Sequence, residues 1–462
     1  MDNAAPFVAL NRFGLGRRPD QDLPANPRGW LRAQLTGPDT TPSDGLPDTQ
    51  GALAVVAQEI ELDKQFRRAH SGLAQPDAAA GQPPAMSGQA TPAQPEGKRD
   101  RPAVDLTHKE AHALLSRSVT TDAPFRERLV LFWANHFTVA NKSLANVACN
   151  GAYIREAIRP HVTGRFADML LAVMRHPAML AYLNQEGSAG PDSIAAHRRH
   201  IGLNENLARE SLELHTVSPA AGYTQADVTA YARLLTGWSF SVREEPVGFR
   251  YRQNFAEPGQ QTVMGRTWPE GEAGGIAILA WLGTHPATYR HIAEKLTRHF
   301  ISDTPTDAQV AQIVAVLHST DGNMGAAANA LIDMPGAWVP CTKLRTPQDF
   351  VVASLRAINA DPTHLPNLGG MVAGLGQKVF DAPFPIGWPD RAADWAGPEA
   401  MLQRVDFAYG LSGRVANTDP EPLGRTLLGP LLTDTTLGQI RAAGSRRDGL
   451  TLLLSSPEFQ RR

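Results

Sequence analysis

Between Gly202 and Trp238 the chain reads GLNENLARESLELHTVSPAAGYTQADVTAYARLLTGW, two helices about a Ser-Pro-Ala-Ala-Gly turn. The first helix carries more acid and amide groups beside an apolar stripe than packing alone requires. At about 100° per residue, Leu203, Leu207 and Leu214 share the stripe, and Asn206, Glu210 and Glu213 form a polar ridge along its edge. A carboxylate at the edge of a core needs a partner, or its pKa rises. That is one route to an acid or base working near neutral pH. Glu210 and Glu213 are therefore the candidate catalytic groups, with Asn206 and Arg209 beside them as candidate substrate contacts. A second reading stays open, in which arginines of neighbouring helices (Arg155, Arg159 and Arg165 are the obvious candidates) pair with the ridge and lock the packing. Glu205 and Arg209, four apart, read as a surface pair. His215 points about 140° away from Glu210, so the two cannot share a metal from within one helix. Asp227 reads as a helix cap, since Thr224-x-x-Asp227 has the form of a capping box.

A third candidate catalytic group comes from another helix. In the 124–138 stretch, Phe125, Leu129, Phe132, Trp133 and His136 fall within about 100° of arc, which puts His136 at the centre of an apolar stripe. It is either a satisfied core histidine or a general base, and it would be a metal ligand together with Glu210 if a divalent metal is bound. Ligands of that kind, without thiolates, favour zinc, iron or manganese. Arg233 and Lys343 complete the set as anion or oxyanion contacts. In PATYRHIAEKLTRHF the stripe is Tyr289, Ile292, Leu296 and Phe300; His299 at its edge and Lys295 read first as core-edge residues, and only second as catalytic ones. The polar loop 184–200 offers a pocket rim. The Trp-rich loop 380–398 offers either a cleft wall or a cover for the core.

Several long blocks resemble one bacterial family, the domain of unknown function 1800. They are VALNRFGLGRRP, ERLVLFWANHFTV, YIREAIRPHVTGRFADMLLAVMRHPAMLAYLN, the GLNENLARE…GYTQADV…LTGW block, HPATYRHIAEKLTRHF, KLRTPQDFVVASLRA and the GWPD loop, in that order over nearly the whole chain. The resemblance implies a helical protein and a sulfatase-like genomic neighbour with an export signal. It implies no activity. Two departures stand out: Ala256 lies where many relatives have a histidine, and Gln75–Arg101 looks like an insertion.

The elements around these residues follow from periodicity and composition. The 462 residues are 42% hydrophobic, enough for a sizeable core. Helical periodicity dominates, which predicts an all-α fold, a multi-helix array with at most a small β-hairpin around 247–264. Residues 1–69 read as an N-terminal helical segment, 70–103 as a disordered Pro/Ala/Gln-rich insertion, and 104–462 as the main helical domain. Thr304-Pro305…Asp307 and Thr346-Pro347…Asp349 read as helix starts. The net charge of −2 gives no nucleic-acid footprint. Two cysteines, Cys149 and Cys341, exclude a thiolate zinc site and covalent haem. Gly14-Leu15-Gly16 lacks the strand and third glycine of a dinucleotide site, and reads as a helix stop. No apolar run is long enough for a membrane span, and the first residues carry no secretory signal, which makes the cytoplasm the default and leaves co-export to the periplasm open. These readings favour an acid/base or metal-assisted hydrolytic enzyme with a site built from the 204–215 and 124–138 helices. The alternative is a non-catalytic accessory or assembly partner of a sulfatase-like exported protein.

Overall fold

A computed structural model describes residues 3–37, 39, 45–70 and 100–462. The all-α class holds: the chain is 64% helical and 4% strand, with 23 α-helices among the described residues. The strands make two hairpins. β1 (Trp238–Ser241) pairs antiparallel with β2 (Gly248–Tyr251), and β3 (Gln261–Val263) with β4 (Arg266–Trp268). The expected region 247–264 holds β2 and β3, each of which pairs with a strand just outside it. The alternating GFRY betrays β2; its partner WSFS also alternates in sequence, although the structure buries all four of its residues. None of these helices is long and apolar enough to cross a membrane. Most of the expected insertion, residues 71–99, lies outside the described residues; Pro102 already opens a helix.

Caps follow the sequence with one correction. Thr224 and Asp227 form the capping box, and Thr346 caps Asp349. The third helix start is not at Thr304-Pro305. Thr306 and Gln309 exchange both capping bonds and start the helix at Asp307, which leaves Pro305 outside it.

Apolar residues gather in two large clusters and a small third one of Ala189, Ala195 and Phe255. The larger runs from Ala9 to Ala337 and includes Phe132, Trp133, Phe166 and Phe300. The smaller includes Leu15, Phe350, Leu411 and Leu453. The Pro102–Thr120 helix serves both, through Leu106 in one and Leu115 and Val119 in the other.

Buried arginines tie the loops to this frame. Arg12 donates to the carbonyls of Phe300, Ile301 and Val339. Arg128 holds the Gly14 carbonyl at 2.7 and 2.8 Å, and Arg356 that of Gly16. The Gly-x-Gly is thus a helix stop fixed by guanidinium groups. The arginines expected at the acidic ridge are used elsewhere. Arg155 pairs with buried Glu110, Arg159 grips Glu127 at 2.7 and 2.8 Å, and Arg165 pairs with Asp321. Glu110 comes that close because Gly151 makes room for it: a Cβ there would sit 2.0 Å from the Glu110 carboxylate. Both cysteines are free thiols.

Candidate functional site

A cavity of about 450 Å³ opens where the two clusters meet. Its walls come from the Pro124–His136 helix, the Pro286–Phe300 helix, the start of the Pro347–Ala357 helix and the loop from Gln377 to Asp394. On the first of these, Phe132 belongs to the larger cluster and its neighbour Leu131 packs on the smaller, so one helix spans the seam.

The GWPD loop is clamped on that helix by one amide. Asn135 accepts from the Trp388 N–H at 2.8 Å and donates to the Trp388 carbonyl at 2.9 Å. Gly387 permits the approach. It sits at φ +85°, and a Cβ there would come within 2.4 Å of the Asn135 carbonyl oxygen. Trp395 donates to the Pro389 carbonyl at 2.9 Å, and the Ala392 N–H to Asp303 at 2.7 Å. These bonds hold Asp390 over the Pro286–Phe300 helix.

Asp390 is the anchor of the charged groups. His299 Nδ1 lies 2.9 Å from its Oδ2, and Arg462 Nη2 approaches His299 Nε2 at 3.4 Å. The guanidinium can only donate, so Nε2 accepts and His299 carries its proton on Nδ1, toward Asp390. Burial lowers the His299 pKa to about 4 against the pull of Asp390, and Arg462 adds to the fall. The ring is neutral at pH 7. Burial alone would raise the Asp390 pKa. His299, then Lys343 and Arg462, more than reverse that and keep the group a carboxylate. Lys343 Nζ donates to the Asp390 carbonyl at 2.6 Å and pairs with Asp303. Behind them, Asp349 bridges Arg128 at 3.0 Å and Arg462 at 3.2 Å.

Facing this network is a quieter group of imidazoles. His136 Nε2 lies 3.1 Å from the His215 carbonyl, and His291 Nε2 3.0 Å from that of Leu214, so both rings donate there. Those carbonyls are within reach because the Asn206–Glu210 helix widens into a π-helical turn over Ser211–His215. Such turns recur at functional sites. Burial first, then Lys295, holds the His136 pKa well below the usual value, and the same two causes bring His291 to about 4. His136 Nδ1 is buried without a donor.

Lys295 lies between the two groups. Among the described residues its Nζ makes no hydrogen bond and no ion pair, although the side chain lines the cavity. Burial lowers its pKa from 10.5 to about 8; Asp390 resists the fall and Arg298 adds to it. About a tenth of such amines are unprotonated at pH 7. An amine of this kind can remove a proton or attack an electrophile. Arg298, with an Nε that has no acceptor, supplies positive charge next to it.

The candidates read from the sequence are spread across the molecule. His136 lines the cavity and Lys343 holds its Asp390 loop. Glu210 and Glu213 are not among the lining residues. They sit near Tyr182, Tyr223 and Lys142, where burial, then Glu213, raises the Glu210 pKa. Asn206 is exposed at the first helical position. Arg209 bonds Glu205 and Gln225 in the expected surface network, and Arg233 lies 3.8 Å from buried Glu257. The 184–200 loop does not line this cavity, whereas the 380–398 loop does wall it. Among the described residues no three His, Cys, Asp or Glu side chains are placed to hold a metal ion.

Lys295 and His299 stand second in the sequence reading, which passes over His291 and Arg298 of the same helix. Their spacing of i, i+4, i+7 and i+8 covers about 100° of one helical face, a signal present in the sequence. Asp390 had no comparable signal beyond its aromatic loop.

The chain belongs to the family described as protein of unknown function (DUF1800), whose model matches residues 8–461. No curated protein and no solved structure matches it.

Proposed function

We propose that this protein is an acid–base enzyme of hydrolytic type, whose site is the cavity between the Pro124–His136 helix, the Pro286–Phe300 helix and the Gly387–Asp394 loop. The observation that carries the reading is Lys295: an amine without a partner among the described residues, in a cavity, with a pKa of about 8. Lys295 is the proton-transferring group. Arg298 stabilises negative charge as it develops in the substrate. Asp390, His299 and Lys343 are positioning residues that keep the loop and its carboxylate in place. His136 offers Nδ1 as an acceptor for a substrate hydroxyl or amide. Of the acids lining the cavity, Asp349 and Asp390 are engaged by arginines, His299 and Lys343, Asp381 pairs with Lys378, and Asp394 is exposed, whereas among the described residues Lys295 and Arg298 make no hydrogen bond and no ion pair. This balance favours an anionic substrate.

The test is turnover of chromogenic carboxylic, phosphate and sulfate esters and glycosides by the whole chain. The proposal expects hydrolysis of at least one class that is lost in Lys295→Met and kept in Glu210→Gln. Hydrolysis that survives Lys295→Met, or none across the panel, overturns it.

A second reading rests on Phe384 and Ile386, which are 65% and 57% exposed beside the cavity mouth. They suit a non-catalytic accessory role in which the 380–398 loop docks on another protein, such as a sulfatase-like one. In that case Phe384→Ser removes the protein's effect on its partner and Lys295→Met does not.

A further inference from the structure

Eight arginines are buried, and seven of them are engaged by the fold. Arg12, Arg128, Arg345, Arg356, Arg404 and Arg462 donate to carbonyls, and Arg159 grips Glu127. Arg126 is the exception. It is only 9% exposed, yet among the described residues its guanidinium makes no hydrogen bond and no ion pair, and its Nε is sealed from solvent without an acceptor. Burying a charge without a partner is costly. A side chain kept in that state needs a reason outside the fold's own bonding.

The reason is visible in what Arg126 faces. It lines a second cavity, of about 1110 Å³, between the Pro27–Thr36, Pro102–Thr120 and Pro124–His136 helices. The Pro124–His136 helix divides its residues between the two cavities: Arg126 and Glu127 on this side, Leu131, Phe132 and Asn135 on the other. The acids of this wall are already neutralised. Glu127 is bonded by Arg159, Asp122 by Arg18 at 2.6 Å, and Asp39 lies 3.8 Å from Arg159. Among the described residues Arg126 is left as an unpaired cation whose Nε is sealed and whose side chain lines the cavity, with Lys109 exposed on the same wall and apolar surface from Trp30, Ala113 and Pro366 around them.

We propose that this second cavity binds an oxyanion carried on an apolar body, such as an aryl or alkyl phosphate, with Arg126 as its anchor and Lys109 at its rim. An unpaired guanidinium forms short, charge-assisted bonds with such a group. The apolar walls take up the rest of the ligand. This site is separate from the Lys295 cavity and does not depend on the reading given there.

Calorimetric titration with phenyl phosphate tests it, on the full chain and on Arg126→Met, Lys109→Gln and Lys295→Met. The expected result is saturable binding by the wild type below about 10 mM. It is weakened tenfold or more in Arg126→Met and a few-fold in Lys109→Gln, and is unchanged in Lys295→Met. Phenol in place of phenyl phosphate separates the oxyanion from the ring, and is expected not to bind. No binding by the wild type, or equal binding by Arg126→Met, overturns the proposal.

Melting temperature gives a readout that does not depend on affinity. An arginine retained for a ligand leaves the free protein no less stable when it is removed. Arg126→Met is therefore expected to melt at or above the wild type without phenyl phosphate, and to lose the rise that the ligand gives the wild type. A lower melting temperature for the free variant, or its failure to fold, marks Arg126 as a packing residue and overturns the proposal.

Discussion

Replacing Lys295 by methionine is expected to make the protein more stable while removing its activity. The stem of Lys295 is retained in shape by methionine, and no hydrogen bond is lost because the amine makes none. What disappears is a charge held in an unfavourable place. A pKa lowered from 10.5 to about 8 corresponds, at about 1.4 kcal/mol per unit, to about 3 kcal/mol of penalty on the folded state at pH 7. Between those two pKa values the unfolded chain binds more protons than the folded one, so stability rises with pH there. At about pH 9.5 the penalty has fallen to about 1 kcal/mol. The groups around Lys295 do not blur the comparison. His136 and His291 are neutral throughout this range, and Asp390 remains a carboxylate. Urea unfolding of both proteins at the two pH values measures the gap. The variant should lead by up to about 3 kcal/mol at pH 7, with the lead shrinking by about 2 kcal/mol at the higher pH. A variant less stable than the wild type at pH 7, or a gap that ignores pH, refutes the reasoning.

Three further outcomes follow from the contacts around the cavity. Asp349→Asn leaves Arg128 and Arg462 without their buried carboxylate and should cost about 3–5 kcal/mol, read from the urea midpoint. Because those arginines also hold the Asp349 pKa well below the usual range, its contribution is full above about pH 4 and fades as pH falls further. The acid-unfolding midpoint of the wild type should therefore lie below that of the variant. Gly387→Ala adds a methyl group against Asn135 at a positive φ; it should cost about 1–3 kcal/mol and free the GWPD loop, seen as faster amide exchange at Trp388 and Ala392. Glu210→Gln removes a carboxylate with a pKa raised by burial and by Glu213, so at neutral pH it should be as stable as the wild type or slightly more so, and its turnover should be unchanged.

Much of the helical frame can be read from the chain because its signals are local. The box at Thr224 and Asp227 and the cap at Thr346 depend on neighbours three residues apart, and they lie where the sequence puts them. The burial of His136 was legible from its aromatic stripe, and so was the Glu205–Arg209 pair from its spacing. The site was harder to see. A helical wheel treats Asn206 to His215 as one α-helix, but the π-turn after Glu210 turns the Leu214 and His215 carbonyls toward two imidazoles. Nothing in side-chain periodicity marks a backbone acceptor. Arg155 and Arg159 were assigned to the wrong acids for a related reason: which acid an arginine meets depends on which helices pack together. The small side chain of Gly151 settled that for Arg155. Lys295 and His299 were visible on one face of their helix. They read as core-edge residues until Asp390, some 90 residues further on, was brought to them by a loop whose anchor is the amide of Asn135.

The most direct test of the account is the titration of Lys295 itself. The lysines of the native protein are labelled with a trace of acetic anhydride from about pH 6 to 11, and the extent of reaction at each is followed by mass spectrometry. The account predicts that Lys295 is accessible to the reagent and half-titrates near pH 8, well below the ordinary lysine value of about 10.4. If Lys295 titrates at the ordinary lysine value, or stays unlabelled until the protein unfolds, its amine is not a reactive group in an open cavity and the proposed site fails.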